Sequence, residues 1–266
     1  MDTVSAAAPS HAPLPAGYAI PTRRSRAKET KNGLAQTPHP AWVADLLTAQ
    51  EPLWARVVNC RLFTTTVTGP FSEELWRRSI AEFWCVIEAF PKYMGLTLAK
   101  TTFGRSQRDY LAREWLIGNI AVESMHAAWY LDWAAAHGIP EAELLAHRPS
   151  PEVAALHEWL FSVAHRGSLA QAIGAINYAV EGTTGAWTKL ICPVFAARYD
   201  GRPDAHRALA WLKAHAKYDD LHPVEALEIV KLAARPDEHV AIASDIQRSL
   251  ELIARGFEWC YAPSVR

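Results

Sequence analysis

The chain has 266 residues, half of them apolar and 21% charged, with a formal net charge of −1. That is the composition of a packed globular protein with room for one sizeable core, and near-neutrality without Lys/Arg runs interleaved with aromatics argues against a nucleic-acid partner. No apolar run approaches the roughly 18 to 20 residues that a membrane span needs, so no membrane partner is expected either.

Residues 1–38 are rich in Ala, Pro, Ser, Lys and Arg without any period, which predicts a disordered leader. There is no apolar h-region of a signal peptide. The four cysteines, Cys60, Cys85, Cys192 and Cys260, lack C-x-x-C spacing, which suggests neither a zinc ribbon nor a disulfide framework. Reduced thiols in a cytoplasmic protein are the expectation.

From Pro40 onward the apolar period is helical, and it predicts helices over about 41–65, 71–103, 106–137, 151–166, 168–192, 203–234 and 236–260. Gly69-Pro70 before Ser72, Gly138-Ile139-Pro140, Ser150-Pro151-Glu152, Asp200 to Pro203 and Arg235-Pro236 punctuate them. Pro91 and Pro223 are expected to kink their helices. The fold class is therefore all-α, a seven-helix bundle forming one domain over 39–266. Eleven Trp fill its core or line an apolar substrate cavity; Trp84, Trp129, Trp187 and Tyr178 are the cavity candidates because they lie near the residues described next.

Three of these helices carry metal-ligand side chains. Glu123-Ser-Met-His126 puts a carboxylate and an imidazole three residues apart, on one helix face. His215-Ala-Lys-Tyr-Asp219-Asp-Leu-His222 has spacings of four and three, which on one continuous helix project all three side chains in one direction. Between them, Glu181 is a lone acid in an apolar, small-residue stretch. Each motif alone also suits a solvated helix face or an ion pair, but a bundle can converge all three, and a buried Glu needs a compensating partner. Three carboxylates and three imidazoles without a thiolate suit iron or manganese better than structural zinc. Six ligands divide between two ions if one carboxylate bridges, leaving positions open for dioxygen. The ferritin-like pattern, with a second E-x-x-H, is absent.

On these motifs the sequence resembles the heme-oxygenase-like di-iron oxidases and oxygenases over roughly residues 40–260. The signatures in order are Asn119-Ile-Ala-Val-Glu123-Ser-Met-His126 leading to Ala135-Ala-His-Gly138, then Asn177-Tyr-Ala-Val-Glu181-Gly182, then His215 through Pro223. The resemblance implies a seven-helix heme-oxygenase-like bundle that binds no heme. It also implies iron ligands at Glu123, His126, Glu181, His215, Asp219 and His222, with two ferrous ions or an iron and manganese pair as cofactor and dioxygen as co-substrate. Many members carry the first Glu seven residues before its His, where this chain has Asn119. The E-x-x-H form is similar to the branch that oxidatively decarboxylates medium-chain fatty acids to terminal alkenes. By the same resemblance Glu82 is a candidate extra carboxylate, as in some N-oxygenating members. Others cleave amino acids or form p-aminobenzoate, for which Lys189 and Tyr218 are the residues of interest. The small-molecule carboxylate has Arg105, Arg113 and Lys189 as cationic options, and a homodimer is compatible with all of this. Two rivals differ in class: a metal-free enzyme of the same fold, thiaminase-type with Cys192 as the tempting nucleophile or of the cofactorless pyrroloquinoline quinone synthase type, and a non-enzymatic regulator.

Overall fold

Serine marks the start of four helices. Ser72, Ser106, Ser150 and Ser168 each accept, through the hydroxyl, a hydrogen bond from the backbone N–H three residues on, and Gln171 reciprocates at Ser168. These caps satisfy donors that a helix N-terminus otherwise leaves unpaired. Gly138 ends the predicted third helix with φ +67, a conformation that suits glycine, and Arg77 donates to the Gly138 carbonyl there.

The computed structural model describes Leu34, residues 36–218 (Tyr218 by its backbone only) and residues 222–262. Most of the leader expected over 1–38, together with Asp219, lies outside the described residues. The elements are α1 (Ala41–Val58), α2 (Arg61–Thr68), α3 (Glu73–Leu98), α4 (Gln107–Ala136), α5 (Glu141–Ala146) and α6 (Pro151–Arg166). Then come α7 (Leu169–Ile173), a π segment (Gly174–Glu181), α8 (Gly182–Arg198), α9 (Ala205–Ala208), α10 (Ala210–Tyr218), α11 (His222–Ala233) and α12 (His239–Tyr261). No strand occurs among the described residues, and none of their helices is long and apolar enough to cross a membrane.

The predicted bundle is observed with finer divisions. The helix expected over 41–65 breaks at Asn59 and Cys60, the one expected to end at 192 runs to Arg198, and α3 continues through Pro91. The helix expected over 203–234 is observed as α9, α10 and α11. Residues 219–221, which join His215 on α10 to His222 on α11 just before the kink expected at Pro223, lie outside the described residues.

The core is an aromatic cluster around Trp76, Trp133, Trp187, Trp211, Phe195 and Phe257, drawn from α3, α4, α8, α10 and α12. Gly174 lets α12 close on the π segment, since a Cβ there would stand 3.1 Å from Ile246. At the other end, Leu34 is buried and the backbone N–H and hydroxyl of Thr37 donate to the Glu228 carboxylate on α11.

Candidate metal centre

The centre forms where α4, the π segment, α10 and α11 meet. Their apolar faces pack into the core, and the polar residues that interrupt those faces have nowhere to turn but toward each other. On α4, Glu123 and His126 are both buried, 4% exposed each. Glu123 Oε2 lies 2.7 Å from His126 Nδ1, yet the two are not aligned for a hydrogen bond, and both His126 Nδ1 and Glu123 Oε1 are left without a partner among the described residues. Buried polar atoms so placed are costly unless something else satisfies them. Burial pushes the Glu123 carboxyl above its usual range, with His126 working against it.

His215 rises from α10 with its ring 4.5 Å from that of His126, centroid to centroid. Its Nδ1–H donates to the Trp211 carbonyl at 2.8 Å, which directs the Nε2 lone pair to the opposite side of the ring. Burial, then the neighbouring His126, holds His215 well below 6.5, so the imidazole is neutral. A neutral, oriented imidazole is what a metal requires of histidine.

The other half centres on Glu181, the last residue of the π segment. Such segments recur at functional sites because the widened turn displaces side chains from the regular helical positions. Gly182 follows because a Cβ would meet the Trp54 ring at 2.5 Å and Pro223 at 3.0 Å. Asn177 Nδ2 donates to Glu181 Oε2 at 3.0 Å, while Glu181 Oε1 pairs with His222 Nδ1 at 2.6 Å. Burial opposes protonation of His222, but the hydrogen bond and charge of Glu181 outweigh it and raise the imidazole to about 9.

Two sets of possible ligands result: Glu123, His126 and His215, and Glu123, Glu181 and His222. Within each, one donor atom per residue lies within 4.8 Å of the others. Donors held by one ion at about 2.1 Å each stand up to about 4 Å apart, so small closures suffice. Glu123 belongs to both sets. The oxygen- and nitrogen-donor inventory, the unpartnered Glu123 and His126 atoms and the shared carboxylate all fit two iron-type cations.

The structure thus brings together five of the six candidate ligands; the sixth, Asp219, lies outside the described residues. Glu82 is not among them. Its two oxygens accept from His147 Nε2 at 2.9 Å and the Ser150 N–H at 2.7 Å, which ties α3 to the start of α6. Lys189 and Arg105 are exposed, and Arg113 is partly so. Two residue types escaped the sequence reading. Asn119 and Asn177 each precede a ligand-type Glu by four residues, and Asn119 Nδ2 is buried without a partner; the repeated N-x-x-x-E spacing was the available signal. Glu225, three residues after His222, accepts from the Trp115 indole at 2.8 Å, and its carboxyl is raised by burial.

Beside the centre lies a small apolar cavity of ≈ 40 Å³, whose walls include Phe83, Val180, Trp187, Trp211, Ile253 and Phe257. Val180 adjoins Glu181 in sequence and Trp211 carries the carbonyl that His215 uses. Of the four cavity candidates only Trp187 lines it; Trp129 stands by His126, with ring centroids 5.2 Å apart.

Residues 77–254 match the family of iron-containing redox enzymes. Among solved structures, a TenA homolog from Pseudomonas syringae pv. tomato str. DC3000 is 33% identical, with a TM-score of 0.80 over 85% of this chain and 98% of that one. A domain of unknown function with a heme oxygenase-like fold from Shewanella denitrificans OS217 is 18% identical, TM-score 0.68, over 82% of this chain and 91% of its own. A TenA homologue from P. horikoshii OT3 shares 11% identity at a TM-score of 0.66, over 83% and 98%; the last two show the fold alone. No curated protein matches.

Proposed function

Because the chain belongs to the iron-containing redox enzymes of heme-oxygenase-like fold, we propose that it is an O2-dependent, non-heme di-iron oxidoreductase. In this reading Glu123, His126 and His215 hold one iron, and Glu123, Glu181 and His222 hold the other, with Asp219 as a further ligand. The observation that carries it is Glu123, a buried carboxylate common to two three-residue clusters, one oxygen of which has no partner among the described residues. Bound iron would supply the electrons for dioxygen and the Lewis acidity to hold a substrate carboxylate.

The chain's own residues do the positioning. The Trp211 carbonyl fixes the tautomer of His215, Asn177 orients Glu181, and Trp115 holds Glu225 in place behind His222. The proposed reaction is oxidative decarboxylation of a medium-chain fatty acid to a terminal alkene. The E-x-x-H spacing supports that branch, and the aromatic and aliphatic walls of the adjoining cavity suit an alkyl chain, for which the side chains around its ≈ 40 Å³ would have to move apart.

Metal analysis of anaerobically reconstituted protein, followed by oxygen uptake and product analysis with fatty acids of varied length, tests this. Two metals per chain, oxygen uptake and alkene are expected, and the same analysis distinguishes an iron pair from iron with manganese. Fewer than two metals under saturating iron overturns the di-iron reading, whereas two metals without alkene overturns only the substrate.

The likeness to a TenA homolog keeps a second reading in view, a metal-free thiaminase-type enzyme with a cysteine nucleophile. Burial raises the thiols of Cys60, Cys85, Cys192 and Cys260 alike, the opposite of what a thiolate nucleophile needs. Thiamine hydrolysis by iron-free protein that disappears in Cys192→Ala would establish that reading instead.

A further inference from the structure

Trp211 joins the proposed metal centre to a line of aromatic rings that leads away from it. Its indole lies 4.0 Å from the His215 ring and stacks on Trp133 at 5.3 Å with an interplanar angle of 8°. Trp133 in turn stands 6.0 Å from the His137 ring, which stands 6.0 Å from the Tyr199 ring. Trp211, Trp133 and Tyr199 are each 1% exposed. The Tyr199 hydroxyl is 2.7 Å from His137 Nε2, and His137 Nδ1 pairs with the carboxylate of Glu73, which is partly exposed.

We propose that Trp211, Trp133 and Tyr199 form a one-electron relay between the metal centre and the surface, with His137 and Glu73 as its proton acceptor. The part that begins at the metal rests on the di-iron reading; the transfer of an electron from Tyr199 to Trp133 does not.

Electron transfer falls off exponentially with distance, so successive contacts between easily oxidised rings outrun a single long step. Trp211 gives one electron to an oxidised centre and regains it from Trp133. Trp133 regains its own from Tyr199, whose phenolic proton passes to His137 Nε2. The products are a neutral tyrosyl radical and an imidazolium facing the Glu73 carboxylate. A one-electron reductant in solution, such as ascorbate, then returns one electron to Tyr199 while His137 returns the proton. Burial lowers the His137 pKa, which leaves Nε2 free to accept.

Tyr130 makes a natural control. It is as close to Trp211, 5.2 Å between centroids, but its hydroxyl donates to the Ile80 carbonyl, a group that cannot take up a proton. Oxidation there would have to leave a charged phenol in a buried site. The other buried tyrosine–histidine pair, Tyr93 with His157, contacts Phe90 and Phe161 rather than a tryptophan.

An ultraviolet flash on the metal-free chain ejects electrons from indoles, buried ones included, and transient absorbance follows the decay of tryptophan radicals into tyrosyl radicals. The relay requires that Tyr199→Phe remove the tyrosyl signal, that Tyr130→Phe keep it, and that His137→Gln slow its appearance while circular dichroism shows each variant folded. A tyrosyl signal unchanged in Tyr199→Phe, or none in the wild type, overturns the relay. In a second arm, iron-loaded protein meets oxygen without substrate and is frozen for electron paramagnetic resonance. There a tyrosyl signal absent from Tyr199→Phe extends the relay to the centre, and iron oxidation without that signal overturns the extension. A failure of iron to oxidise counts against the di-iron reading, and the flash alone then decides for or against the relay.

Discussion

Glu123 occupies the point where the two ligand clusters meet, so its charge matters to both. Glu123→Gln keeps the shape but removes the negative charge that would be shared between two cations. Metal analysis is expected to show loss of both irons, whereas His215→Ala, which touches one cluster, is expected to spare the other. In the metal-free chain His222 is raised from 6.5 to about 9: burial opposes the charged form, and Glu181 wins. The folded state therefore binds this proton more tightly than the unfolded chain does. The stabilisation is fully present below about pH 6.5 and is lost as pH rises through about 9, on the order of 3 kcal/mol in all. The buried carboxyl of Glu123, also raised, acts in the same direction. Urea midpoints of metal-free protein should fall across that window, and the fall should shrink in His222→Asn. These residue types and spacings were readable in the chain itself. The pairing of Glu181 with His222 was not, because it joins residues 41 apart through the packing of two helices.

Among the elements, the π segment decides the most. Asn177 bonds Glu181 across one of its turns, and Gly182 lets Trp54 and Pro223 close on its end. Gly182→Ala places a methyl group 2.5 Å from the Trp54 ring, an overlap that costs about 1–3 kcal/mol when a packed site must shift. The expected outcome is a lower Tm together with weaker iron binding, since the displaced turn carries Glu181. If Tm falls and iron binding does not, the turn is a packing feature only. The apolar, small-residue pattern around Glu181 reads as an ordinary helix, because a π segment differs from α by backbone hydrogen bonding that composition does not record.

At the scale of the whole molecule, α3, α4, α6, α8, α10, α12 and the π segment enclose the cavity beside the centre. Ile253→Phe, on α12, fills part of it from the far side of the ligand helices. Chain-length preference is expected to move to shorter fatty acids with iron content unchanged, as read by binding or turnover over a series of acids. An unchanged preference would place the alkyl chain elsewhere. By itself the sequence determined the all-helical class, the helix starts at Ser72 and Ser150 and the identity of the ligand-type residues, because periodicity, capping chemistry and donor type are local properties. Only the tertiary structure decided that Glu123 stands in both clusters, that Glu82 is engaged by His147 and Ser150, and that the aromatic rings contact each other in a line from His215 toward Tyr199. Each of those depends on which helix faces meet, and that is set by the packing of the core as a whole rather than by any one stretch of the chain.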